Sequence, residues 1–128
     1  MFIIDSSIFC ACFLDEDTNH ERAKVLLWEI EERILVPYIV LSEVLTVLTY
    51  KHSKDRANEF ADFILSDNRF ILIDADMTSE VYFWKSIDNN LSYIDIVLTY
   101  VALRNDATLL TFDDAMIKFY QKIRENKS

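Results

Sequence analysis

Apolar residues recur along this chain with two different periods. Short runs rich in β-branched and aromatic side chains, Phe2 to Asp5, Ile34 to Val36, Phe70 to Ile73 and Thr108 to Phe112, read as buried strands. The stretches between them repeat every three to four residues, as in Ala23, Leu26, Leu27 and Ile30, in Ala57, Phe60, Ala61 and Ile64, and in Met116, Phe119, Tyr120 and Ile123. That spacing puts one apolar stripe on a helix and predicts amphipathic helices with a single face toward a core. Thr18, Ser53, Asp76 and Ser92 stand where helix N-caps are expected, and Asn68, Asn89, Asn90 and Asn105 where a left-handed residue would close a helix. The sole proline, Pro37, marks a strand-to-helix corner rather than a domain boundary. Strands alternating with helices predict one α/β domain over residues 1–128, with a central, mainly parallel sheet of four or five strands flanked on both faces by about seven helices.

Composition narrows the chemistry. With 52% hydrophobic and 27% charged residues, the 128-residue chain can build one packed core and is no solvated tail. It contains no glycine, which excludes pyrophosphate-cradling loops and EF-hand loops. Its 13 basic and 22 acidic residues leave a net charge of −9, so a polyanion must be gripped locally and not by the bulk field. No apolar run approaches the roughly 18 residues of a membrane span, and the opening segment carries Asp5 and no basic leader, so a cytoplasmic location is expected. Cys10 and Cys12 point to different faces of a helix and read as core residues, neither a disulfide nor, without histidine partners at ligand spacing, a metal site. Trp28, Trp84, Phe60, Phe63 and Tyr100 fall at helical spacing and are assigned mostly to the core.

Most of the acids lie in mixed-charge runs, but four stand in apolar company. Asp5 is the only charge from Met1 to Leu14, Glu43 from Ile34 to Tyr50, and Asp95 from Leu91 to Leu103; Asp113 is the first charge after the Ala107 to Phe112 run. Each lies at the end of a predicted strand or in the first turns of a helix that follows one, positions that share the carboxyl edge of a parallel sheet, where α/β folds place ligands. Taken singly, Asp5, Asp95 and Asp113 read as helix caps, Asp95 in a capping box opened by Ser92. Glu43 is too deep in its helix to cap, and a purely structural role would need a buried basic partner that its own segment does not supply. Carboxylates gathered at an apolar rim repel one another, and a divalent cation resolves the conflict. Hard oxygen ligands suit Mg²⁺ or Mn²⁺ and phosphoryl chemistry. Zinc and serine-type hydrolysis are disfavoured, because the two histidines are unpaired and no nucleophile elbow is present.

These segments resemble the PIN-domain family, and within it the small VapC-type toxins of toxin–antitoxin modules. The resemblance rests on "IIDSS" with Asp5 and Ser7, "VPYIVLSEVLTVL" with Glu43, "LSYIDIVLTYVAL" with Asp95, and "NDATLLTFDDAM" with Thr111 and Asp113, in order along nearly the whole chain. It implies an endoribonuclease dependent on Mg²⁺ or Mn²⁺, with Asp5, Glu43, Asp95 and Asp113 as catalytic and metal-holding acids, and Ser7 and Thr111 as hydroxyls that orient them. Both hydroxyls equally suit local backbone bonds. Asp114 is the runner-up for the fourth acid. Met116 stands where many relatives have an aromatic residue, and a short C-terminal strand of many relatives is expected to be missing.

The resemblance further implies an RNA substrate, a homodimer and a small antitoxin protein as partner. Lys51, His52, Lys54 and Arg56, or Lys118, Lys122, Arg124 and Lys127, would hold the RNA, unless both groups are ordinary solvated helix faces. Two other readings stand beside the enzyme. One is a catalytically silent PIN-like binding module. The other, a phosphoacceptor receiver, lacks an acid pair after the first strand and a lysine after the last, and is set aside.

Overall fold

The computed structural model describes residues 1–127. Four strands, β1 (Phe2–Ile4), β2 (Ile34–Pro37), β3 (Phe70–Ile73) and β4 (Thr108–Leu110), form one sheet in the order β3-β2-β1-β4, with every pair parallel. Seven helices connect and cover them: α1 (Ser6–Phe13), α2 (His20–Glu29), α3 (Tyr38–Lys51), α4 (Lys54–Ser66), α5 (Met77–Ser86), α6 (Tyr93–Arg104) and α7 (Asp114–Lys127). The predicted α/β layout and strand positions hold, and the sheet has four strands among the described residues. None of the helices there is long and apolar enough to cross a membrane.

Burial explains the strand pattern. Ile3 and Ile4 of the central β1 and Ile34 and Val36 of β2 are buried on both faces of the sheet, which is why these runs show no polar alternation. β3 lies at an edge and leaves Leu72 exposed. Ala23, Leu27 and Ile30 of the α2 segment, Ala57, Phe60 and Ile64 of α4, and Met116, Phe119 and Tyr120 of α7 all reach the core. Phe9 and Phe13 of α1 meet Phe60 edge-on at 5.3 Å, and Phe63 meets Phe70 at 5.1 Å, so aromatic pairs join α1, α4 and β3.

Several local expectations need correction. Ser53, Asp76 and Ser92 do cap α4, α5 and α6 through their side chains, but α2 starts after Asn19, not Thr18. Asn68, Asn89, Asn90 and Asn105 are not left-handed; the only positive φ among the described residues is at Asp106, 52°. Its short polar side chain tolerates that conformation, while Asn105 donates its amide to the Val101 carbonyl instead. Leu14, Ile30, Asp67 and Ile87 end their helices by passing straight into extended backbone. Those exits need no left-handed residue, so the chain closes them without glycine. Trp28 is 87% exposed and Trp84 is also exposed, not core. Trp28 follows Leu27 on α2, and one step along a helix turns the side chain away from the buried face. Cys10 and Cys12 are free thiols on α1, and burial pushes both up to about 12.

Candidate active site

Asp5, Glu43 and Asp113 stand on segments that leave the carboxyl ends of β1, β2 and β4, whereas Asp95, against expectation, follows no strand, because α6 comes after α5 and leads into β4. Asp5 follows β1 directly, and its backbone N–H donates to Leu110 O at 2.9 Å, tying the exits of β1 and β4 together. β2 passes into α3 at Pro37 without a loop, so Glu43 comes round in the second turn of α3. Asp95 lies in the first turn of α6, and Asp113 immediately precedes α7.

Asp5 is the deepest of them, 6% exposed. It occupies the N-cap position of α1, yet its carboxylate makes no cap bond. Its Oδ2 accepts instead from Ser7 Oγ at 2.8 Å and Thr111 Oγ1 at 2.9 Å. Thr111 also accepts from the Asp113 N–H at 3.1 Å, so one hydroxyl links two of the acids. With Oδ2 taken twice, Oδ1 keeps only a long 3.4 Å contact from Ser6 Oγ.

Ser6 is a residue that sequence reasoning passed over. It is buried, and its hydroxyl donates to Glu43 Oε1. A hydroxyl has one proton to give, so the Asp5 contact is secondary. Glu43 thus has a partner of a kind not expected from its segment: a hydroxyl from α1 and no base. The two consecutive serines after Asp5 were the available signal.

Asp113 also caps, accepting the Met116 N–H at 3.0 Å through Oδ1. Ser92 caps α6 by accepting the Asp95 N–H at 3.1 Å. Burial pushes the Asp95 carboxyl above the ordinary carboxylate range against a lowering bond with Ser92, and the charges of Asp5, Asp113 and Glu43 raise it further. Asp113 is among the charges that act on it. The charges of Asp5, Asp113 and Glu43 thus all bear on Asp95.

They do not close into a cage. Among the described residues, no three His, Cys, Asp or Glu side chains form a group placed to hold a metal ion. The donor set is nonetheless of the kind a hard divalent cation takes, carboxylate oxygens. Glu43 opens into a cleft of about 370 Å³ lined also by Tyr38, Ser42, Thr46 and Ile94, the residue next to Asp95. Of the basic groups, Lys51, His52 and Lys54 are exposed, but Arg56 is bound to the Phe13 carbonyl, Asp15 and Glu59. Lys118, Lys122 and Arg124 are exposed on α7, and the Lys127 side chain lies outside the described ones.

Comparison with known proteins places this arrangement. The family model described as PIN domain matches residues 2–122. The structure is similar to that of Mycobacterium tuberculosis VapC20, a sarcin-ricin loop cleaving toxin, with a TM-score of 0.81 and 19% identity over 92% of this chain and 94% of that one. It is also similar to VapBC2 from Rickettsia felis bound to a DNA fragment from its promoter, with a TM-score of 0.63 and 19% identity over 91% and 90%. FitAcB from Neisseria gonorrhoeae matches with a TM-score of 0.66 and 13% identity over 94% of each chain. No curated protein sequence matches. Matched by the family model over residues 2–122 and built on a four-stranded parallel sheet, the chain belongs to the PIN domain family.

Proposed function

We propose that this chain is an endoribonuclease dependent on Mg²⁺ or Mn²⁺, the toxin of a toxin–antitoxin pair. The observation that carries the reading is the buried Asp5 carboxylate, held through Oδ2 by Ser7 and Thr111 and linked through Ser6 to Glu43, with the charges of Asp5, Asp113 and Glu43 all raising Asp95. Asp5, Glu43, Asp95 and Asp113 are the residues that would hold the cation. When bound, a divalent cation polarises a phosphate and lowers the pKa of water.

The chain's own groups divide the remaining work. Ser7 and Thr111 fix the Asp5 carboxylate through Oδ2 and leave Oδ1 with only the long contact from Ser6. Ser6 restrains Glu43, and the α7 cap restrains Asp113. The open cleft beside Glu43 suits a polymer laid across the edge better than an enclosed small molecule. The likeness to VapC20, a sarcin-ricin loop cleaving toxin, supports the same reading.

Homodimerisation is supported by the apolar side chains Met77, Val81, Tyr82 and Trp84 left exposed on α5. An antitoxin partner is supported by the likeness to the VapBC2 complex, and the net charge of −9 favours a basic segment in that partner. Light scattering at micromolar concentration should give the mass of a dimer; a stable monomer removes that part.

The test of activity is cleavage of structured RNA with Mg²⁺, Mn²⁺ or EDTA, by the wild type and by Asp5→Asn and Asp95→Asn. Cleavage with either metal, abolished by EDTA and by both substitutions, is expected. Cleavage that persists in EDTA or in both variants sinks the mechanism. The second reading, a PIN-like module that binds without cutting, draws on the lack of a closed ligand group among the described residues. It gains if RNA is bound and remains intact with every metal.

A further inference from the structure

Arg22, the third residue of α2, belongs to neither basic group picked out in the sequence. Its guanidinium carbon lies 3.9 Å from the centre of the Phe112 ring. Phe112 stands between Thr111, which donates to Asp5, and Asp113. The contact therefore brings a cation from α2 to the exit of β4, at the rim of the acid cluster.

What Arg22 lacks is an acid. Arg56 pairs with Asp15 and Glu59, Arg69 with Asp67 and Arg104 with Asp76, each spending its charge within the fold. Arg22 takes part in none of the ion pairs among the described residues, and it is exposed. Stacking on a ring uses the face of the guanidinium and leaves the N–H fork in its plane unused. An unneutralised, oriented fork is the group that matches a phosphate by two parallel hydrogen bonds. On a chain of net charge −9, a cation held on Phe112, next in sequence to Thr111 and Asp113, has a local purpose: the acids alone would repel the polyanion they are to cut.

We propose that Arg22, held on Phe112, is a substrate-positioning residue that grips an RNA phosphate neighbouring the one to be cleaved. The proposal rests on the ribonuclease reading and names the contact by which that site holds its substrate. A phosphate beside the reacting one carries the same charge before and during cleavage, so the contact is made alike in both. Such uniform binding lowers KM and leaves kcat unchanged.

The test uses the full chain as wild type, Arg22→Gln, Arg22→Lys and Phe112→Leu, with a labelled single-stranded RNA in EDTA across a salt series. Arg22→Gln should bind about tenfold more weakly, and its log-log salt slope should be shallower by roughly 0.7. Arg22→Lys should keep the slope and recover part of the affinity, and Phe112→Leu should weaken binding. With Mg²⁺ present, Arg22→Gln should raise KM and keep kcat within about twofold. A role in packing alone would move the melting curve and leave the salt slope where it was, which overturns the proposal. Wild-type RNA binding matched in affinity and slope by Arg22→Gln overturns the Arg22 contact and leaves the ribonuclease reading standing. A wild type that neither binds RNA in EDTA nor cleaves it with Mg²⁺ overturns both.

Discussion

Valine at position 111 would keep the shape of Thr111 and delete the hydroxyl that joins two acids. The substitution removes a donor to Asp5 Oδ2 at 2.9 Å and an acceptor for the Asp113 N–H at 3.1 Å. The first bond goes to a buried carboxylate, and such charge-assisted bonds contribute about 1.5 to 3 kcal/mol. Ser7 still donates to the same oxygen at 2.8 Å, so Asp5 is not orphaned and the lower figure applies. Asp113 is exposed, and water can take over its N–H. At about 2.1 cal/mol/K per residue, unfolding of the 128-residue chain has an entropy of about 0.27 kcal/mol/K near the midpoint. A loss of about 1.5 kcal/mol then lowers the Tm by roughly 5 °C. The larger effect should fall on the cation: loosening the partner of a ligating carboxylate typically weakens metal binding about 10- to 100-fold. Melting by circular dichroism and RNA cleavage as a function of Mg²⁺ concentration measure the two effects, and Thr111→Ser should restore both. A Thr111→Val protein that melts within about 1 °C of wild type, with an unchanged Mg²⁺ midpoint, would refute the reasoning. Combining Ser7→Ala with Thr111→Val should cost more than the sum of the two, since Asp5 then keeps only the 3.4 Å contact from Ser6.

Asp95→Asn should abolish cleavage without destabilising the fold, because the native carboxyl is raised by burial and by Asp5, Asp113 and Glu43. With a folded pKa above the unfolded one, wild-type stability falls as pH rises through that interval, and denaturant titrations should show this decline lost in Asp95→Asn. The Asp67 carboxyl has the opposite sign, lowered first by its bond with Arg69. Its stabilisation is full above the ordinary pKa of about 3.9 and lost as pH falls through the folded value, so wild type and Asp67→Asn should converge in stability toward low pH. Cys10 and Cys12, raised to about 12 by burial, should resist a thiol reagent at neutral pH in the native protein and react promptly in denaturant. Labelling of both at the same rate with and without denaturant would overturn their burial.

The strands were legible because β1 and β2 are buried on both sides, which writes them as unbroken apolar runs. The four acids were legible for the related reason that a charge inside such a run is conspicuous. Less legible were contacts made by topology. Ser6 and Glu43 are 37 positions apart, and only the passage from β1 through α1 and α2 to β2 and α3 makes them neighbours. The Arg22 and Phe112 pair depends likewise on the exit of β4 lying beside β1. Trp28 misled because helical spacing alone does not say which side of a helix meets the sheet. The asparagines misled because helix ends that run into extended backbone need no left-handed residue at all.

A cap and a site acid looked like rival readings of one residue, and the oxygens show that they are compatible. Asp113 gives Oδ1 to the Met116 N–H, Asp5 gives Oδ2 to Ser7 and Thr111, and Glu43 gives Oε1 to Ser6. In each carboxylate one oxygen is bound by the fold, and the other makes no strong hydrogen bond among the described residues. The bound oxygen fixes the side chain's direction and offsets part of the desolvation of gathering acids at an apolar edge. The second oxygen stays available to a ligand. Were capping the whole role of Asp113, Asp113→Ser would be harmless, because serine caps a helix as well as aspartate. On the present reading Asp113→Ser keeps the α7 cap and the Tm and loses the RNA cleavage. The pairing of an unchanged melting curve with lost activity separates the two roles that one side chain combines.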